Sequence, residues 1–125
     1  MKIFDYKPYI LSLVKFMVKH NFTKRPLPKV VLNNEKQEGV FIKTGHYEID
    51  ENRVVLFING RHPKDVLRSL AHELIHHKQY IDGRLLSDEI GDDTHITSNK
   101  KIIRFEEEAF LKGNMAFRSW TEQYK

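Results

Sequence analysis

Apolar residues recur along this chain with two periods, and each change of period separates helical from extended stretches. Ile10, Leu11, Leu13, Val14, Phe16, Met17 and Val18, interrupted by Ser12, Lys15 and Lys19, predict an amphipathic helix from Tyr9 to His20. Pro26 and Pro28 mark a turn into extended chain. Strand character follows in Val30–Leu32, Gly39–Ile42, His46–Ile49 and Val54–Ile58, and Asp50-Glu51-Asn52 can reverse the chain so that the last two pair as a hairpin. Helical spacing returns with Val66, Leu70 and Leu74, and Leu67, Ala71 and Ile81 widen that stripe. Pro63 suits a first turn, Asp65 the positive helix end and Gly83 a C-terminal stop, so a helix is expected over Pro63–Ile81, buried against a core on one side. A further helical pattern runs through Ile102–Leu111, and the tail Asn114–Trp120 reads as core helix rather than a lid.

This order of elements predicts one α+β domain over residues 1–125: an N-terminal helix, a small, mostly antiparallel sheet with a hairpin, a central helix and a C-terminal helix. Cysteine is absent, which excludes thiolate metal sites and disulfides. The first apolar run falls short of the ~20 residues a membrane span requires, so no membrane partner is expected. Asp5, Lys7 and Lys15, with no small-residue exit site, argue against a cleavable signal peptide. The formal charge is +4. Its densest basic group, Lys15, Lys19, His20, Lys24 and Arg25, lacks an interleaved aromatic platform and reads as a solvated surface rather than a nucleic-acid site.

The candidate chemistry lies in the central helix, at His72-Glu73-Leu74-Ile75-His76. Residues four apart on a helix stack about 6 Å along the axis, so both imidazoles can reach one ion while Glu73 points beside it at a water molecule. Catalytic zinc takes three protein ligands and keeps an open position, which calls for another donor. Glu106 shares a helix face with Ile102, Ala109 and Gly113, whose small residues admit a neighbouring helix. There its carboxylate is expected to be buried and to require a partner such as a metal. Glu107, on the face of Ile103, Leu111 and Asn114, is the second choice, and His95 a further one. Glu108 reads as an exposed residue with a local ion pair to Arg104.

Two segments together resemble the gluzincin class of zinc metallopeptidases, especially the small minigluzincins and short phage or bacterial SprT-like metallopeptidases. His72–Gln79 is similar to H-E-x-x-H-x-x-Q, and Glu106-Glu107-Glu108-Ala109 to the E-x-x-A segment of the second site helix. The resemblance covers Val54 to Asn114. It implies a zincin-like fold, one zinc ion (Zn2+) held by His72, His76 and Glu106, Glu73 as general base, and an edge strand beside the cleft that pairs with an extended peptide. Phe110 stands where several gluzincin families carry Asp or Asn against a zinc-bound histidine, which leaves a backbone oxygen, Glu107 or Gln79 to take that task. SprT-like proteins proper use a third histidine, for which His95 is the downstream candidate. The extended metzincin pattern fails at Gln79, and Asp82 stands in the place of its third histidine, which aspartate replaces in a minority of such enzymes. His95, Tyr80 and His46 are the candidates for stabilising an oxyanion.

The expected function is therefore zinc-dependent hydrolysis of a peptide or protein substrate, in the cytoplasm of a bacterium or phage-infected host or on a virion. The alternatives are a catalytically silent, metal-stabilised structural or binding protein, such as a phage accessory component, and a DNA-associated SprT-like protease. Substrate, cleavage preference and oligomeric state are not encoded in any motif of the chain.

Overall fold

The computed structural model describes residues 4–39, 42–85 and 100–124. They form helix α1 (Lys7–Lys19), strands β1 (Lys29–Asn33), β2 (Gly45–Glu48) and β3 (Arg53–Phe57), and helices α2 (Pro63–Ile81) and α3 (Lys100–Tyr124). The result is a small α+β domain with a three-stranded mixed sheet. Among the described residues no helix is long and apolar enough to cross a membrane.

The observed limits of α2 coincide with the expected ones because both ends are set locally. His62 Nδ1 accepts a hydrogen bond from the Lys64 N–H at 3.1 Å, and Pro63 occupies the first turn. At the other end Gly83 takes φ +78°. Its N–H donates to Tyr80 O and that of Arg84 to Gln79 O, both at 2.9 Å, closing a Schellman turn. Burial differs from the expectation. Val66, Leu70 and Leu74 are fully enclosed, but so are Ile75 and His77 on other faces, so α2 is buried nearly all round. The reason is its central place, packed against β2, β3, α1 and α3.

The sheet order is β1-β3-β2. The β2–β3 hairpin forms as expected, with Tyr47 opposite Val54, and Asn52 supplies the left-handed residue of the turn at φ 48°. β1 instead runs parallel to β3, Val30 opposite Val54, so the sheet is mixed rather than mostly antiparallel. β3 carries Val54, Val55 and Leu56, all buried in succession, which makes it a central strand shielded on both faces. Of the expected segment Gly39–Ile42, Val40 and Phe41 lie outside the described residues, and Ile42 is half exposed outside any strand.

Leu13 and Met17 of α1 and Ala116, Phe117 and Trp120 of α3 complete the core, and Trp120 Nε1 donates to Ser12 Oγ at 2.9 Å. The C-terminal tail is therefore core helix. Each large apolar side chain so enclosed contributes about 1.5–3 kcal/mol. Polar clamps fix where α2 lies. The Arg61 guanidinium donates to Thr44 O, Phe57 O, Asp65 O and Ser69 Oγ, tying the start of α2 to the sheet. Buried His77 donates from Nε2 to Pro26 O at 2.6 Å and accepts at Nδ1 from the Tyr47 hydroxyl at 2.8 Å. Pro26 O can only accept, which fixes the tautomer of that ring. Burial pushes the His77 imidazole down and the Tyr47 phenol up to about 12, so both stay neutral.

Candidate metal centre

α2 presents His72 and His76 one turn apart, and α3 brings Glu106 between them. Glu106 Oε1 lies 2.8 Å from His76 Nε2, and Glu106 Oε2 lies 3.3 Å from His72 Nε2. The three donor atoms fall within 4.8 Å of one another. Ligands at about 2.0–2.1 Å around a tetrahedral zinc ion are separated by roughly 3.3 Å, so small adjustments would convert this cluster into a coordination shell. Two imidazoles and one carboxylate are also a donor set that zinc accepts.

The helices approach closely because Gly113, two turns beyond Glu106 on the same face, has no side chain. A Cβ there would lie 3.0 Å from His72 Cα and 3.1 Å from His72 N. Backbone of a packed helix cannot yield cheaply. Gly113→Val is expected to destabilise the protein by about 3 kcal/mol in denaturant unfolding, and to move His72 away from Glu106.

The burial expected of Glu106 is not observed: its side chain is 58% exposed. Its oxygens meet the rings at the open rim of the α2–α3 seam, whereas His76 is buried. Hydrogen bonds from His72 and then His76 hold the Glu106 carboxyl far below its ordinary range. Burial alone would lower the His76 imidazole, but the Glu106 hydrogen bond and the charges of Glu73 and Glu106 outweigh it and raise the pKa to about 9. Without metal, an ion pair therefore keeps the donors together.

Glu73, on the same helix, is buried. Its Cγ would be 3.8 Å from a Cβ at Gly45, which places the N-terminal end of β2 beside it. No other strand pairs with the outer edge of β2 among the described residues.

Gln79 takes the supporting task that the sequence left open. Its Oε1 lies 2.8 Å from His76 Nδ1, and its Nε2 donates to Phe105 O at 3.1 Å and to Glu108 Oε1 at 3.2 Å. Glu108 does not pair with Arg104 as expected. Arg84 grips it with two hydrogen bonds, 2.8 and 2.9 Å long. Sequence reading missed that pair because the partners are 24 residues apart and neither has a periodic signature.

Among the described residues, the other sequence candidates stand apart from the cluster. Glu107 is exposed, and His95 lies outside the described residues. Asp82 is held by Lys24 and Lys78 beyond the end of α2. Along β2, Gly45 and Tyr47 face α2, so His46 points to the opposite face, where Nε2 meets Glu48 Oε2 at 2.8 Å. That removes His46 as an oxyanion donor. Tyr80 sits one turn beyond His76 and is 38% exposed.

Two of these carboxylates make stability acid-sensitive. Lys24 and then Lys78 hold Asp82 down to about 2, and Arg84, with Gln79 assisting, holds Glu108 down to about 2. The ordinary values are 3.8 and 4.5, so between those values and 2 the unfolded chain binds more protons than the folded one. Their stabilisation is complete above the ordinary values and is lost as pH falls toward 2. Urea unfolding midpoints should drop across that window in the wild type, and drop less in Arg84→Met.

Comparison of the chain with protein-family models, curated proteins and solved structures gives no match. The site is therefore interpreted on its geometry and donor chemistry.

Proposed function

We propose that the protein is a zinc-dependent peptidase of zincin type. The observation that carries this reading is the convergence of His72 Nε2, His76 Nε2 and the Glu106 carboxylate, with Glu73 beside them on the same helix. An ion held by His72, His76 and Glu106 would supply Lewis acidity, to polarise a scissile carbonyl and make a water molecule acidic enough to lose a proton near neutral pH. Glu73 accepts the proton of the attacking water and passes it to the leaving amine. Glu73 suits that role by its place, buried on the same helix directly after His72 and beside the start of β2. His76 keeps its ring oriented through Gln79. The outer edge of β2, which begins at Gly45 beside Glu73, offers main-chain hydrogen bonds to an extended peptide. That pairing recognises backbone and leaves sequence preference to side-chain pockets.

A mixed α+β domain with the metal helix packed under the sheet supports the same reading. The test is quantification of bound zinc by elemental analysis, together with mass-spectrometric profiling of an unbiased peptide library. One equivalent of zinc and cleavage abolished by a chelator are expected. Zinc at one equivalent without any cleavage would favour the silent, metal-stabilised alternative, and no zinc uptake would overturn the proposal.

A further inference from the structure

Hydrogen-bond logic along the chain Arg84–Glu108–Gln79–His76 determines which nitrogen of His76 keeps its proton and which is free to ligate. The Phe105 carbonyl and the Glu108 carboxylate can only accept, and both lie within reach of one end of the Gln79 amide. That end must be the NH2 group. The Gln79 oxygen is therefore the atom turned to His76, and it can only accept, so Nδ1 must carry a proton. In the metal-free structure Nε2 also carries a proton, which it donates to Glu106 at 2.8 Å; once that proton leaves, the ring held through Nδ1 has its lone pair on Nε2.

The amide could deliver the opposite instruction. Rotated by half a turn, Gln79 would present its NH2 to Nδ1 and select the tautomer whose proton sits on Nε2, where it blocks a cation. Rotation would also place the amide oxygen against the Phe105 and Glu108 oxygens, a repulsive contact at a residue only 1% exposed. Glu108 enforces the choice only while it is held in place, and the paired Arg84 hydrogen bonds do that. Phe105, whose ring lies 5.6 Å beneath the Arg84 guanidinium, orders that residue in turn.

We infer that Arg84 and Glu108, acting through Gln79, are positioning residues that hold His76 with Nε2 as its ligating atom. The inference rests on the zinc reading above and deepens it. The chain from Arg84 takes the part that an Asp or Asn after Ala109 plays in the resembling families, since Phe110 occupies that position and is exposed here. It also makes cation affinity depend on the segment just past α2, outside the cluster of donors.

The experiment measures zinc affinity by competition with a chromophoric chelator, and records the His76 Nδ1 proton by 15N NMR in the zinc-loaded protein. Gln79→Met is expected to lose about 10–100-fold in affinity, and Arg84→Met about threefold, each with faster exchange of the Nδ1 proton. Arg84→Met is a surface change that keeps an apolar contact on Phe105, so it reports even where Gln79→Met fails to fold. Arg84→Lys, which retains one charged donor to Glu108, should restore most of the affinity and the slow exchange. Tight binding by the wild type with unchanged affinity and an unchanged Nδ1 signal in the variants would overturn this inference alone. Loss of affinity with an unaltered Nδ1 signal would also overturn it, as a purely structural effect. No zinc uptake by the wild type would overturn it together with the proposed function.

Discussion

Glu73→Gln is expected to leave one zinc ion bound per chain while lowering peptide turnover by about 10²–10⁴-fold. The substitution keeps the size and shape of the side chain, so the buried position beside Gly45 should tolerate it. Two electrostatic consequences for metal binding oppose each other. A negative charge near the cation is lost, which weakens attraction. The same charge helps raise His76 to about 9, so its removal also weakens the competing proton. Affinity should therefore change far less than turnover. Elemental analysis and peptide cleavage on the same preparation separate the two quantities. Loss of zinc from Glu73→Gln would make Glu73 a ligand and reverse its assigned role.

Glu106→Ala should remove the cation site itself, with an affinity loss larger than the about 100-fold that a supporting residue can cost. Glu107→Ala should bind zinc as the wild type does, because Glu107 belongs to another face of α3 and is not part of the donor cluster. A second readout does not depend on metal. In the zinc-free protein, Glu106→Ala takes away the hydrogen bond and one of the two charges that hold His76 near 9, leaving burial opposed by the Glu73 charge and the Gln79 hydrogen bond. The NMR titration of His76 should then move below its wild-type midpoint by more than a pH unit. The wild-type ring binds its proton below about 9 and releases it above, so zinc affinity should rise with pH up to that value and level off beyond it. Should Glu107→Ala lose zinc and Glu106→Ala keep it, the third ligand would move one residue along the helix.

Glu106 stays ionised at the exposed rim because two imidazoles stabilise its anion, while His76 and Gln79 beneath it are enclosed.

What was legible in the sequence follows from the range over which each feature is decided. The limits of α2 were readable because His62, Pro63 and Gly83 act on neighbouring backbone. The β2–β3 hairpin was readable because its reversal lies within Ile49–Asn52. The pairing of His72 and His76 follows from helix pitch alone, and the preference for Glu106 followed from the small face it shares with Ala109 and Gly113.

Only the tertiary structure decided the rest, since those features depend on residues brought together across long stretches of chain. The parallel pairing of β1 with β3 joins Lys29 to Arg53 across an intervening strand, and no local signal sets such a register. The run Val54-Val55-Leu56 read as a strand, but which neighbours would flank and cover it was not legible. Likewise Glu108 looked like one more solvated acid until packing of α3 on α2 put Arg84 and Gln79 against it. By itself the sequence determined the helix that presents two imidazoles and a carboxylate, because backbone periodicity is a local property. The meeting of that helix with Glu106, the exposure of the carboxylate and the orientation of His76 were decided by three-dimensional packing, because each depends on the distance between elements that the chain order does not specify.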